Sequence, residues 1–69
     1  MSHKTKTLNT MIDNFINGNI TTARKQAKRF NLAFIRTGFI EIGYSFEKAQ
    51  LIADFLKTGD GFQAACDAE

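Results

Sequence analysis

The sequence predicts an all-α fold, a compact bundle of four or five short helices. Three observations lead there. Apolar residues recur at steps of three and four in successive windows. Residues suited to starting and stopping helices fall between those windows. Proline, which breaks helix interiors, is absent from all 69 residues.

Leu8, Met11, Ile12, Phe15 and Ile16 form the stripe of a first amphipathic helix. Thr7 is its expected N-cap, and Asn17-Gly18-Asn19 its stop. Residues 1–6 read as a flexible basic N-terminus, and 7–69 as a single helical domain. Thr21 or Thr22 is placed to cap a second helix running to about Phe30. Its apolar positions are Ala23, Ala27 and Phe30, a narrow face with small residues that lets another helix approach closely.

A third helix is predicted from Asn31 to about Ile42, with Leu32, Ile35, Phe39 and Ile42 along one face. A hairpin competes over residues 34–42, as two short strands around Thr37-Gly38. Helix is preferred, because the stripe runs on across Gly38 and Arg36-Thr37-Gly38 is not a strong two-residue hairpin turn. Gly43 suits the helix C-cap, with Tyr44 packing back on the helix just ended. Ser45 caps a fourth helix and Glu47 sits favourably in its first turn. Phe46, Ala49, Ile52, Ala53 and Leu56 form its core stripe, widened by Leu51 and Phe55. Lys57 suits the last turn and Gly59 the end. Asp60 is positioned to cap a short fifth helix carrying Phe62, Ala65 and Cys66.

A chain of this length makes one domain and buries a modest share of its surface. Cys66 is the only cysteine and His3 the only histidine, so neither a disulfide nor a structural metal site is expected to hold it. That leaves helix packing or self-association. No apolar run approaches the roughly 18–20 residues of a membrane span, and nothing resembles a secretory signal. The lone cysteine fits a reducing compartment, so a cytoplasmic protein without membrane or cofactor is expected.

Catalysis finds little to work with. A nucleophile needs an adjacent base, and the sole histidine lies in the polar start. Asp54, Asp60 and Asp67 are scattered, with no phosphate-cradling glycine loop and no calcium-loop spacing. Asp54 is expected on the surface beside Lys57 three residues on, and Cys66 buried beside Phe62. A non-enzyme is expected.

Charge is uneven along the chain. Residues 1–31 carry six basic residues and one acid, a net +5; residues 32–69 carry three and six, a net −3. Such a dipolar chain can attract two kinds of partner, or its own copies. Arg24, Lys25, Lys28 and Arg29 span about 140° of a helix of 3.6 residues per turn, one broad face. That face is either a phosphate-binding stripe or the solvated back of an amphipathic helix. The third helix is apolar on more than one side, with Ala33, Phe34 and Ile40 away from its main stripe. It is therefore either the central core helix or the bearer of an exposed interaction patch.

Three resemblances follow from these residues. Ala27, a three-residue gap and Asn31-Leu32 resemble the first helix and turn of the helix-turn-helix family. That resemblance implies base-facing positions at Ala33, Phe34, Ile35, Gly38, Phe39 and Ile42. Base edges are read by polar side chains, of which this helix offers Arg36. The order Ile35, Phe39, Ile42-Gly43-Tyr44, Ala49, Ile52-Ala53, Gly59 and Ala64-Ala65 resembles the ubiquitin-associated three-helix pattern. There a methionine-glycine-aromatic loop docks protein partners, a place Ile42-Gly43-Tyr44 would fill. In size and style the chain also resembles small helical orphan proteins of phages and mobile elements, including inhibitors of host defence such as anti-CRISPR proteins.

The expected function is a non-catalytic module that docks on a larger protein or ribonucleoprotein complex, as inhibitor or adaptor, with a homodimer as a further association. A phage-type anti-defence inhibitor is its sharpest version. The candidate partner-binding residues are Arg24, Lys25, Lys28, Arg29, Phe34 and Tyr44. The alternative is a small nucleic-acid-binding regulator using the basic second helix in a degenerate helix-turn-helix.

Overall fold

In the computed structural model, which describes residues 3–67, five helices follow one another: α1 (His3–Ile16), α2 (Ile20–Ala27), α3 (Leu32–Glu41), α4 (Phe46–Thr58) and α5 (Phe62–Asp67). There is no strand among the described residues, and residues 34–42 are helical up to Glu41, so the hairpin is not formed. α1 packs against α2 and α3 against α4; the two pairs join through α1–α3 and α2–α4, and α5 folds back on α4. The radius of gyration is 10.7 Å, against about 11 Å for a compact domain of this length.

The helix ends show which local signals acted. Asn31 accepts a hydrogen bond from the Phe34 amide at 2.8 Å, and Ser45 one from the Lys48 amide at 3.2 Å. Each satisfies one of the amides that the first turn of a helix leaves unpaired. At the far end of α3, Gly43 stands at φ +115°. Its amide donates to Ile40 O at 3.0 Å, and the Tyr44 amide to Phe39 O at 3.1 Å. These are the two bonds of a Schellman motif, and the apolar contact that accompanies it is present as well. Tyr44 stacks on Phe39, with ring centroids 5.4 Å apart. The same pair of bonds closes α1, from Gly18 to Phe15 O and from Asn19 to Asn14 O.

Other expected caps are not used. α1 starts at His3, so Thr7 lies inside it and residues 3–6 are helical. Residues 1 and 2 lie outside the described residues. Asn19, not Thr21 or Thr22, holds the N-cap position of α2, and it makes no side-chain cap bond. α2 ends at Ala27, three residues before Phe30. The Arg29 and Phe30 amides make i−3 bonds to Gln26 O and Ala27 O, a tightened last turn. Lys57 reaches across from α4 and donates to Phe30 O at 2.6 Å and Ala27 O at 3.5 Å. Its ammonium thus caps another helix's carbonyl end. Asp54 accepts instead from Gln50 Nε2 at 3.1 Å. Gly61 occupies the position before α5, and the Asp60 amide turns back to Thr58 Oγ1.

Met11, Ile35, Phe39, Ile52 and Leu56 are the largest fully buried side chains. Phe39 lies at the centre, with Phe15 edge-on at 5.6 Å on one side and Tyr44 on the other. Ala23 and Ala27 are fully buried, so the narrow face of α2 does carry close packing. Ile35, Gly38 and Phe39 are buried, which leaves half of the base-facing positions of a helix-turn-helix inside the core. Three apolar residues assigned to core stripes stay largely in solvent: Ile16, Ile42 and Phe46.

Candidate protein-docking surface

The end of α1, the α3–α4 turn and α5 enclose an open, mainly apolar groove of about 450 Å³. Phe15, Ile16, Tyr44, Lys48, Phe62 and Cys66 are among its walls. Each reaches that place for a local reason. The Gly18 stop ends α1 just past Ile16, leaving this side chain 53% exposed at the rim. The Schellman turn at Gly43 sets Tyr44 against Phe39, so its ring is half-buried in the groove wall. Lys48 lies in the first turn of α4, four residues beyond Tyr44, and its amine hangs 5.7 Å from the centre of the Tyr44 ring. Phe62 opens α5 and leans on Phe55, with ring centroids 5.0 Å apart, yet remains 43% exposed. Cys66, expected in the core, is exposed on the groove's α5 side because Ala65 takes the inward position.

The four cations of α2 and its last turn do not act as one face. Lys25, Lys28 and Arg29 are exposed. Arg24 is half-buried: its guanidinium stands 5.9 Å from the centre of the Phe55 ring and fills the space where a side chain on residue 59 would project. Its Nε is buried and has no hydrogen-bond partner among the described residues. This cation is held by packing on an aromatic face. Lys28 and Arg29 lie past the end of α2, so Lys25 is the only exposed cation of the four within that helix. Phe34 is half-buried against Phe30, centroids 5.4 Å apart, at the start of α3. Of the candidate residues, Tyr44 alone lines the groove.

The most exposed large apolar side chain among the described residues is Phe46, at 59%. Arg36 lays its guanidinium 4.9 Å from the centre of that ring and donates to Gln50 Oε1 at 2.6 Å. Gln50 in turn donates to Asp54. A shallow apolar depression of about 300 Å³ lies beside Phe46 and Leu51. The sequence carries one signal for this: Phe46 directly follows the Ser45 cap, and a first-turn residue can project past the helices its own helix packs on.

Among the described residues no group of three His, Cys, Asp or Glu could hold a metal ion, and no helix is long and apolar enough to cross a membrane. The chain matches no protein-family model, no curated protein and no solved structure, so its own surface is what its function is read from.

Proposed function

We propose that this protein is a non-catalytic binding module that docks on a larger protein, as an inhibitor or adaptor, through the groove around Tyr44. A phage-type anti-defence inhibitor is the sharpest version. One observation carries the reading. Ile16 and Phe62, two of the five exposed large apolar side chains of the described residues, flank one concave apolar wall. Rigid aromatic residues around a pocket are the usual anchors of protein interfaces.

The test is affinity capture from lysate of the native host, comparing wild-type bait with an Ile16→Ser/Phe62→Ser bait of the same fold. A protein retained by the first and lost from the second supports the reading; identical capture by both refutes it.

Nucleic-acid binding is the second reading, favoured by the exposed Lys25, Lys28 and Arg29. Three phosphate contacts would make log K fall by about 2.7 per tenfold rise in salt. Fluorescence anisotropy with duplex DNA and single-stranded RNA checks this. A flat salt response removes the reading.

A further inference from the structure

We infer that the groove receives an acidic, amphipathic segment of the partner, which buries a bulky apolar side chain between Ile16, Tyr44 and Phe62 and sets a carboxylate on Lys48. This rests on the docking reading above and gives the partner its chemistry.

The charge at the groove carries the inference. Among the described residues lining the groove, Lys48 is the only cation and none is a carboxylate. The described residues give its ammonium a ring to stand over, the Tyr44 face at 5.7 Å, and no acidic partner. The ammonium therefore stands at the edge of apolar surface with no protein acceptor among the described residues. A carboxylate arriving with an apolar neighbour would satisfy both surfaces at once.

The alternative occupant is a second copy of this chain, and its own charges oppose that. The best apolar projection it could insert is Phe46, which carries the Arg36 guanidinium on its ring at 4.9 Å. Docking Phe46 in the groove would bring Arg36 up to Lys48, cation against cation, which specific interfaces avoid. The groove volume of about 450 Å³ suits a few side chains of an inserted segment.

The experiment titrates two synthetic helical peptides into isotope-labelled protein and follows backbone amide shifts. Both peptides present Leu and Phe four residues apart; one flanks them with Asp and Glu, the other with Lys at the same places. The acidic peptide is expected to shift the amides of Ile16, Tyr44, Lys48 and Phe62 and to bind about tenfold more tightly than the basic one. Lys48→Glu should reverse that preference. This variant remains foldable, because glutamate three residues after the Ser45 cap completes a capping box at the start of α4. Groove shifts without charge preference would overturn the acidic partner while leaving the docking reading intact. No groove shifts with either peptide would overturn both. Groove shifts that grow with protein concentration alone would assign the site to a second copy and overturn the inference.

Discussion

Gly38→Ala tests how tightly the two helix pairs are clamped together. In an isolated helix the change is favourable, since alanine exceeds glycine in helix propensity by about 0.5–1 kcal/mol. Here α3 crosses α1 at this residue. A Cβ on Gly38 would meet Leu8 Cδ2 at 2.8 Å, Ile12 Cδ1 at 3.1 Å and Leu8 Cγ at 3.4 Å. Both neighbours are buried, at 5% and 3% exposure, so neither can swing into solvent to make room. Overpacking of this kind costs about 1–3 kcal/mol. The propensity gain offsets part or all of that, leaving a net loss of about 0–2.5 kcal/mol. A domain of this size has only about 3–10 kcal/mol of stability to lose. Urea unfolding followed by far-UV circular dichroism would read the change as a lower midpoint at unchanged slope. Thermal melts should fall by about 4–8 °C for each kcal/mol lost. A variant more stable than wild type would refute the reasoning. It would mean that Leu8 and Ile12 yield freely and that the α1–α3 contact is slack.

Phe39→Ala removes a fully buried ring packed on Phe15 and Tyr44, and should cost about 3–5 kcal/mol, enough to leave much of the chain unfolded. Phe34→Ser removes a half-buried ring touching Phe30 and should cost clearly less; paired urea titrations check the order, and equal losses would contradict it. Lys25, Lys28 and Arg29 changed together to Glu should shift stability by less than about 1 kcal/mol, since all three are exposed. Arg24→Glu alone should destabilise more than that triple change, because its guanidinium packs on Phe55 and beside Gly59. Melting temperatures of the two variants, measured side by side, decide it.

Much of the architecture is written locally. Asn31 and Ser45 cap α3 and α4 through bonds to amides three residues on. Gly18, Gly43 and Gly59 end their helices within one residue of where the pattern breaks. The stacking of Tyr44 on Phe39 follows from the same turn. These interactions span five residues or fewer, so the residues that make them are visible together in the sequence. A local cap can still be overruled: Thr7 has the chemistry of an N-cap, yet the helix already runs through it from His3.

What the sequence did not decide is which apolar residues find a partner. Ile16, Ile42 and Phe46 have the period of core positions and lie near helix ends, where the neighbouring helices no longer reach, so they remain exposed. Arg24 has the period of a surface cation, yet Phe55 and the bare backbone of Gly59, more than thirty residues away in sequence, give it a half-buried seat. Lys57 leaves its own helix to cap α2, since the carbonyls of Ala27 and Phe30 come within its reach only after α2 and α4 have packed. Periodicity states which face of a helix is apolar. Whether that face is covered depends on where the other helices stop, and the groove around Tyr44 exists because α1 stops at Ile16 while α5 folds back beside it.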